Sequence, residues 1–472
     1  MSTGVPADTR SIEHEANLLA RLDRSPMTKT IRIIIFLLML VWLVEAFDIG
    51  IIGTALLFLK QAWALTPKQV GLLGSAGTFG IVLGLLPAGR MADRFGRKRV
   101  LIVGIAIFSV FTLAGVLATN ISELAILRFI AGLGEGAVFP APYLLIAEFV
   151  NKKHRGIAVG WANFVLTGAY MFPSLAGVWA LRFSPETGWR ALFLVGGVCI
   201  VLVPILAKWL PESPRFLLKV GREDVVRGLV ERVEDEAHLP HDTTIINQQA
   251  LDVLKVTEHR KVGLATLLQQ PYLKRAFVAY CALGSPFVIF YTMTIYGPTI
   301  FHLMGQTKSN ALLYTAALQL LSGFGTVFGA ALGDRFGRRP IHSLFMMITA
   351  VALILLGQHF STPVLVVLAV IAWFLGLGGF AVPKLYMAEQ FPTRLRATGS
   401  AAGEVITRFL LGVLMVYYIP TMLDIMHPSG LFILLGIAMA ALVLPLIFLG
   451  VETAGRSMEE TGTKVVGAAK PA

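Results

Sequence analysis

The sequence predicts an all-α membrane protein of twelve transmembrane helices, arranged as two six-helix bundles. Three observations support this prediction: the apolar composition, twelve apolar runs of spanning length, and a charged motif that is repeated at a fixed distance. Of the 472 residues 56% are hydrophobic and only 14% are charged, and the mean hydropathy is +0.74. Soluble globular domains carry roughly twice that charged fraction. The composition is therefore typical of a polytopic membrane protein.

The twelve apolar runs are the predicted spans, numbered 1 to 12 in chain order. A transmembrane helix needs roughly 20 mostly apolar residues. Runs of this kind lie at 33–59, 69–90, 99–118, 122–149, 156–180, 189–209, 275–303, 309–333, 340–358, 363–389, 397–424 and 429–450. The expected organisation is an N-terminal tail (1–32), a first bundle (33–210), a linker (211–273), a second bundle (274–450) and a C-terminal tail (451–472).

The basic residues predict the orientation of the chain. The outer loops contain only Lys60, Lys68, Arg182, Arg190 and Lys308, whereas most of the 40 lysines and arginines lie in the tails, the linker and the loops on the opposite side. By the positive-inside rule both termini are cytoplasmic, in a cell inner membrane. The same asymmetry accounts for the net charge of +12 without a nucleic-acid partner. No short apolar stretch ends in a cleavage site, so we expect no removable signal peptide.

The linker and the cysteines have simple interpretations. Between spans 6 and 7 the sequence ESPRFLLKVGREDVVRGLVERVEDEAHLP has apolar residues at helical spacing between charges. It predicts one or two short amphipathic helices at the cytoplasmic face. Cys199 and Cys281 both lie in predicted spans, so we expect no disulfide framework and no metal cluster.

A repeat relates the two bundles. DRFGR occurs at 93–97 and again at 334–338, an offset of 241 residues. Glu148 and Glu389 keep this offset, as do Arg155 and Arg396, while Glu212 and Glu452 differ by 240. The common spacing indicates a duplication in which equivalent loops lie on the same side of the membrane. A parallel repeat of this kind places a substrate site between the halves near mid-bilayer.

The repeated loops also carry a family resemblance. GRMADRFGRKR and GDRFGRR resemble the signature loop of the major facilitator superfamily. RFIAGLGEGAVFPAPYLLIAEFVNKKHRG, PESPRFLLKVGR and VETAGRSMEE resemble signatures of its sugar-porter branch and of related metabolite:proton symporters. The resemblance implies twelve helices, alternating access and transport without chemical conversion of a substrate. It also implies that the charged loops tie neighbouring helix ends at the cytoplasmic face.

We therefore predict a cytoplasmic gate network made of the two loops and the repeated acids and arginines. The aspartates can pair with helix N-termini and basic neighbours, and the glycines permit a sharp turn. The predicted gate residues are Asp93, Arg94, Gly96, Arg97, Glu148 and Arg155 in the first half, and Asp334, Arg335, Gly337, Arg338, Glu389 and Arg396 in the second.

Ionisable residues inside the spans predict a proton path. Such residues are costly in a membrane and are functional candidates by default. Glu45 and Asp48 share one face of span 1, and Arg128 and Glu135 share one face of span 4. Asp48 and Arg128 have similar depths, so they can meet. The resemblance implies that they form a proton-coupling pair, with Glu45 and Glu135 as further candidates.

The second half differs from sugar porters in residues that concern the substrate. Span 7 lacks the paired glutamines of those porters, and span 10 has Lys384 where they usually carry a tryptophan. An ammonium group favours an anion. In span 11, Glu404 and Arg408 are one turn apart, and Arg408 could hold a carboxylate by two hydrogen bonds. Tyr291, Tyr296, Trp161 and Asn163 could pack against or orient an aromatic acid.

These observations predict a proton-coupled secondary transporter for the uptake of a small organic, and specifically aromatic, carboxylate. Alternatives are a sugar or polyol:proton symporter, an organic cation or drug:proton antiporter, and a membrane sensor that keeps the fold. No nucleophile–base pair, metal-ligand spacing or phosphate-binding loop indicates an enzyme. We expect a monomer with no cofactor, using the proton gradient as its energy source. The sequence leaves open the substrate, the direction of transport, the choice between symport and exchange, and the role of the linker.

Overall fold

A computed structural model describes residues 7–242, 264–270, 272–358, 361–391 and 393–453. All regular secondary structure in these ranges is helical. Ten helical segments are long and apolar enough to cross a membrane. One of them, Thr398–Leu449, contains both spans 11 and 12, and span 5 is a further pair of shorter helices, Lys152–Gly168 and Met171–Ala180. The described helices therefore supply the twelve predicted spans.

The observed spans are longer than predicted at most ends. Spans 1 to 4 are Lys29–Ala62, Pro67–Phe95, Arg97–Leu117 and Ile121–Phe149, and span 6 is Pro185–Trp209. Spans 7 to 10 are Tyr272–Leu303, Lys308–Phe336, Arg338–Leu356 and Thr362–Glu389. Span 11 begins with the helix Thr393–Thr407, continues through a π-helical stretch, Arg408–Met415, and joins the helix Val416–Leu449, which also contains span 12.

The boundary between spans 11 and 12 is a sharp bend at one residue and has no intervening loop. His427 has φ 59° and ψ 172°, which is not a helical conformation, and Pro428 follows it. A proline disfavours the helical region for the residue before it. The bend therefore falls where the sequence predicted a break, between 424 and 429.

Spans 4, 10 and 11 contain irregular stretches near the polar residues described below. Span 4 is interrupted between the helices Ile121–Val138 and Ala141–Phe149, where Pro140 lacks an N–H donor. Span 10 contains a π-helical stretch, Ala372–Leu377, and span 11 contains Arg408–Met415. Local π-helical geometry is rare and often accompanies functional sites. All three irregularities lie close to the polar residues described below.

The two halves pack against each other through spans 1 and 7, spans 2 and 11, and spans 5 and 8. The contacts at the end away from the two tails are close because glycines allow backbones to meet. A Cβ at Gly71 would lie 2.1 Å from the backbone oxygen of Tyr417, and a Cβ at Gly53 would lie 2.5 Å from that of Thr294. These contacts close that end of the interface between the halves.

The end of the molecule that carries the linker contains a helix that the sequence analysis described only as polar tail. Ala7–Arg24 is a helix, and it packs against the linker helix Glu223–Glu236. The described part of the linker also contains the helix Pro214–Lys219 and the 3-10 helix Leu264–Leu268. Residues 243–263 of the linker and 454–472 of the C-terminal tail lie outside the described residues.

Candidate functional site

The structure brings Asp48 of span 1 and Arg128 of span 4 together, as the sequence predicted. Arg128 Nη1 donates to Asp48 Oδ2 at 2.8 Å, and Nη2 donates to the backbone oxygen of Asp48 at 3.1 Å. Thr112 of span 3 donates its hydroxyl to Asp48 Oδ1 at 2.5 Å. Both charged side chains are almost completely buried. The pair therefore has the partners that a buried ion pair requires.

Two further carboxyl groups lie beside this pair. Glu135 Oε1 is 3.9 Å from Arg128 Nη2. Both carboxyl oxygens of Glu135 are buried and have no hydrogen-bond partner among the described residues. Glu45, one turn before Asp48, is fully buried, and its charge interacts with that of Asp48. Spans 1 and 4 thus bury two acids, Asp48 and Glu135, at Arg128 and a third acid, Glu45, near Asp48.

The second half contributes Arg408 and Glu404 from span 11. Arg408 Nε donates to Glu404 Oε2 at 3.1 Å, and Nη1 donates to the hydroxyl of Tyr291 at 2.9 Å. The guanidinium carbon of Arg408 lies 4.0 Å from the ring centroid of Phe139 and 5.3 Å from that of Phe287. A guanidinium placed over aromatic rings is stabilised by the ring quadrupoles. The guanidinium of Arg408 therefore has four neighbouring side chains that position it: one carboxylate, one phenol hydroxyl and two aromatic rings.

Lys384 of span 10 lies among aromatic rings. Its ammonium nitrogen is 4.6 Å from the ring centroid of Phe380 and 5.0 Å from that of Phe139. It is 5.3 Å from the ring centroid of Tyr143. The nitrogen is buried, and among the described residues it has no hydrogen-bond partner. The two cations of the second half therefore meet at one ring of the first half, Phe139.

The two polar groups form a single site between the halves. The carboxylate of Glu45 is subject to the charges of Arg408 and Lys384 as well as to that of Asp48. Four acids and three bases thus lie in one electrostatic neighbourhood whose wall consists of aromatic rings, and all but the partly buried Glu404 and Lys384 are buried. Such an arrangement can bind an anion at the cations and protons at the acids.

The remaining predicted residues take different positions. Tyr291 lies in the site, where it accepts the hydrogen bond from Arg408. The hydroxyl of Tyr296 donates to the backbone oxygen of Val416 at 2.9 Å and lies against Gly74 in the interface between the halves. Asn163 accepts a hydrogen bond from the hydroxyl of Tyr143 at 2.6 Å, so it supports the aromatic wall.

Trp161 is the most exposed of the predicted residues. Its side chain is 57% exposed, and its ring contacts Phe164, which in turn contacts Phe324 of span 8. These contacts place Trp161 beside the interface of spans 5 and 8, with no contact to Arg408 or Lys384 among the interactions of the described residues.

The sequence analysis missed the aromatic wall contributed by span 4. Phe139 and Tyr143 follow Glu135 at intervals of four residues, so a helix places them on the same face as this buried acid. That spacing is a signal that could have found them. Phe287 and Phe380, in apolar runs of spans 7 and 10, carry no comparable signal.

The predicted gate network contains an equivalent ion pair in each half. Arg97 pairs with Glu148 in the first half, and Arg338 pairs with Glu389 in the second. Gly96 and Gly337 have φ of 97° and 101°, conformations that favour glycine, and they allow the chain to turn between consecutive spans. The two loops are therefore alike in structure as well as in sequence.

The helix N-termini of these loops bind different acids from those we predicted. The Glu212 carboxylate accepts from the backbone N–H of Lys98, and that of Glu452 accepts from Arg338 and Arg339. Glutamates after spans 6 and 12, and not Asp93 and Asp334, therefore cap spans 3 and 9. The longer side chain reaches the N-terminus of a neighbouring helix, whereas each aspartate lies in the last turn of the preceding helix.

The other gate residues have local contacts. Asp334 lies 3.6 Å from Arg338, and the backbone oxygen of Asp93 accepts from Lys219 at 3.1 Å. Arg396 donates to the backbone oxygen of Ala388 at 3.1 Å. Arg94 and Arg335 lie over the rings of the residues that follow them, Phe95 and Phe336. The side chain of Arg155 lies outside the described residues.

The fold and the site together define a transporter of two repeated halves with a polar site between them. The family model described as "Sugar (and other) transporter" matches residues 34–464. The chain belongs to this family, a branch of the major facilitator superfamily. It is accordingly a multi-pass membrane transporter and not an enzyme.

Relatives and solved structures agree with this assignment. The niacin transporter NiaP of Acinetobacter baylyi is 27% identical over 94% of this chain and 100% of its own length. The benzoate transport protein of the same species is 26% identical over 87% of this chain and 89% of its own length. The inward-open structure of the xylose transporter XylE from E. coli superimposes with a TM-score of 0.76 at 18% identity, covering 92% of this chain and 99% of that one.

Proposed function

We propose that this chain takes up a small aromatic carboxylate together with protons by alternating access. The carrier would lie in the cell inner membrane with both termini cytoplasmic, and would act as a monomer with the proton gradient as its only energy source. The orientation rests on the distribution of basic residues, and the direction of transport follows from the proton gradient across such a membrane.

The observation that carries the proposal is the pair of buried cations under aromatic rings. Arg408 and Lys384 both lie within cation–π distance of Phe139. A carboxylate can accept two parallel hydrogen bonds from a guanidinium, and an ammonium adds a point charge. An attached aromatic ring can pack against the rings of Phe139 and Phe287 in offset or edge-to-face geometry. The site therefore suits both ends of an aromatic acid.

The names of the relatives support the same substrate class. Niacin and benzoate are both small aromatic rings that bear one carboxylate, and the two transporters named for them align with nearly the whole chain. A neutral sugar would leave the buried ammonium nitrogen of Lys384, which has no hydrogen-bond partner among the described residues, without an anionic ligand, and this is costly in a low-dielectric site. A sugar or polyol symporter, which the family description includes, is therefore the weaker candidate.

The acids beside the cations supply the proton binding. Asp48 is held by Arg128, and Glu135 lies beside both. A carboxylate that is balanced between burial and a neighbouring cation can gain or lose a proton when its exposure changes. We infer that alternating access changes this exposure, so that protons enter the site from one side of the membrane and leave on the other.

Uptake by proteoliposomes tests the proposal. Labelled benzoate, nicotinate, arabinose and xylose would be offered to vesicles with and without an inward proton gradient. We expect accumulation of at least one aromatic acid above its equilibrium level, and the loss of this accumulation on addition of a protonophore. Accumulation of a sugar and of none of the acids would replace the proposal with the sugar symporter. Proton-driven extrusion of an organic cation would replace it with the antiporter, and failure to move any solute would favour a sensor.

A further inference from the structure

The buried site contains an odd number of ionisable side chains, and this number limits how charge can be balanced. Four are acids and three are bases. If all were ionised, the site would carry one excess negative charge in a region of low dielectric constant, which is unfavourable. The seven are Glu45, Asp48, Glu135, Glu404, Arg128, Lys384 and Arg408.

One proton balances the empty site, and the contacts indicate where it lies. Glu135 is fully buried 3.9 Å from Arg128, which already pairs with Asp48, and neither of its carboxyl oxygens has a hydrogen-bond partner among the described residues, so we assign the proton to Glu135. With that proton in place, three carboxylates remain opposite three cations. Two of these are matched directly, because Asp48 pairs with Arg128 at 2.8 Å and Glu404 pairs with Arg408 at 3.1 Å.

The remaining acid, Glu45, and the remaining base, Lys384, have no hydrogen-bond partner among the described residues. Both carboxylate oxygens of Glu45 and the ammonium nitrogen of Lys384 are buried. Glu45 comes from the first half and Lys384 from the second, and each is subject to the charge of the other. Unsatisfied buried charges are expensive, so such a gap is typical of a place that a ligand fills.

We propose that Glu45 is an exchangeable counterion for the cations of the second half. It carries their balancing negative charge while the site is empty, and it takes up a proton when a substrate carboxylate binds at Lys384 and Arg408. This inference rests on the proposed function. The titratable and charged groups that face Glu45 are Asp48, Glu135, Lys384, Arg408, Tyr143 and Tyr170.

This exchange of the Glu45 charge for the substrate charge determines how many protons cross with each substrate. The substrate brings one negative charge and Glu45 loses one by protonation, so the loaded and the empty site carry the same net charge. One proton then crosses with each carboxylate, while the proton on Glu135 stays bound when the empty carrier returns. Asp48, three residues from Glu45 on the same helix face, relays the incoming proton. Transport is therefore electroneutral, and it responds to the pH gradient and not to the membrane potential.

Proton counting on the purified full-length protein tests the role of Glu45. Benzoate is added in weakly buffered solution, binding is measured with the labelled ligand, and proton uptake is measured with a pH indicator. The wild type should take up about one proton per bound benzoate, so that its affinity falls about tenfold per pH unit above the pKa of the site. Glu45→Gln should bind benzoate with no proton uptake and no pH dependence. Glu186→Gln, an exposed acid at the outer start of span 6, should match the wild type.

Each result bears on the inference separately from the proposed function. Wild-type proton uptake by Glu45→Gln would overturn the role of Glu45 while leaving the carrier an aromatic-acid transporter. A wild type that binds neither benzoate nor nicotinate would overturn both. A second measurement does not depend on the folding of the variant: in wild-type proteoliposomes, a potassium diffusion potential set with valinomycin should leave uptake unchanged, and stimulation by an inside-negative potential would overturn the one-to-one stoichiometry.

Discussion

At the scale of single residues, the site depends on how buried charges are satisfied. Arg408 has a carboxylate, a phenol hydroxyl and two aromatic rings around it, whereas Lys384 has rings but no hydrogen-bond acceptor among the described residues. A guanidinium offers five donors in a plane, so it can keep its internal partners and still bind a carboxylate. We therefore expect Arg408 to hold and orient the substrate and Lys384 to supply its counter charge.

Replacing Arg408 should weaken substrate binding. Arg408→Gln removes at least one charged hydrogen bond, worth about 1.5–3 kcal/mol, so the apparent affinity for the transported acid should fall by at least roughly one to two orders of magnitude. Binding of labelled benzoate at equilibrium measures this effect. Leu410→Met, in the same π-helical stretch but 50% exposed, serves as the control. An affinity loss for Arg408→Gln no greater than that of the control would remove Arg408 as the anchor.

Replacing Asp48 should separate accumulation from exchange. Asp48→Asn keeps the size of the side chain but cannot relay a proton, so uphill uptake driven by a pH gradient should be abolished while exchange of substrate across the membrane persists. Counterflow in proteoliposomes measures the exchange, and ΔpH-driven uptake measures the coupling. Normal uphill uptake by Asp48→Asn would show that Asp48 does not carry the proton.

The sequence allowed the ion pair of Asp48 and Arg128 to be predicted but not the aromatic wall. Intramembrane charges are rare, so each is conspicuous, and the rise of a helix places two of them at one depth. Phe139 and Phe380 are apolar residues in apolar spans, where their type carries no information on function. Their role appears only when the bends of spans 4 and 10 turn them towards the two cations.

At the scale of elements, glycines determine how closely the two halves approach. Along the outer part of span 2, Gly71 meets the backbone of span 11, and Gly74 meets the hydroxyl of Tyr296 from span 7. Small residues at such contacts let helices in a membrane pack at short distance. Closure at this end of the site therefore depends on glycines of span 2, which have no side chain to hold the helices apart.

A larger residue at Gly71 should prevent outer closure. A Cβ there would lie 2.1 Å from the backbone oxygen of Tyr417, and neither backbone can move aside cheaply. Gly71→Leu should hold the carrier open to the outside, so that a thiol reagent added outside labels a cysteine introduced at Thr78 while transport is lost. Gly89→Leu, on the same helix with open space around it, should label and transport as the parent does. Equal labelling in the two variants would contradict the assigned role of Gly71.

A buried ion pair fastens the N-terminal helix to the linker. Arg21 Nη2 lies 2.5 Å from Glu234 Oε2, and Arg24 Nη2 lies 2.7 Å from Glu234 Oε1. Burial of Glu234 opposes its ionisation, but the hydrogen bonds from Arg21 and Arg24 outweigh it and lower the pKa of Glu234 below the usual value of 4.5. The pair joins two helices that also bury Leu18, Leu22 and Val230 against each other.

The contact should weaken at acidic pH and on removal of Arg21. A carboxylate with a depressed pKa stabilises the folded state above its unfolded pKa, and this contribution is lost as the pH falls through the folded pKa. Hydrogen exchange in Glu223–Glu236 should therefore be slow at pH 7 and should accelerate below about pH 4.5, beyond the intrinsic pH dependence. Arg21→Gln should accelerate it at pH 7, at a cost of about 2 kcal/mol. Arg222→Gln, which removes an exposed pair with Asp224, should have little effect, and equal effects of the two variants would contradict the assignment.

At the scale of the whole molecule, the two halves keep the same residues in the gate pairs but carry different residues at equivalent positions in the site. The offset of 241 residues that relates the two gate pairs also relates Tyr143 to Lys384 and Asn163 to Glu404. Tyr143 and Lys384 lie against each other, at 5.3 Å from ring to nitrogen. One pair of equivalent positions is thus a tyrosine of the aromatic wall in the first half and a cation of the site in the second.

The large-scale organisation was the most predictable part of this protein. Apolar runs of about 20 residues and a repeated motif extend over long stretches of sequence, so single residues do not obscure them. They allowed the twelve spans to be predicted. The N-terminal helix was not foreseen because its residues are mostly polar and its helical structure depends on burial of a few leucines against the linker. The acids that cap spans 3 and 9 were visible as a repeated pair, but only the folded chain shows that Glu212 and Glu452 reach the helix N-termini.

The preserved symmetry of the gate predicts matched defects. Arg97–Glu148 and Arg338–Glu389 are related by the repeat, and both lie at the cytoplasmic ends of their spans, away from the cations of the site. Breaking either pair should therefore alter the rate of conformational change but not substrate affinity. Glu148→Gln and Glu389→Gln should each change the turnover rate by roughly tenfold, which corresponds to about 1.4 kcal/mol in the barrier, and leave the binding of benzoate at wild-type affinity. Counterflow rates and equilibrium binding separate the two quantities. A defect confined to one half, or a loss of affinity in either variant, would mean that the repeated pairs no longer act alike.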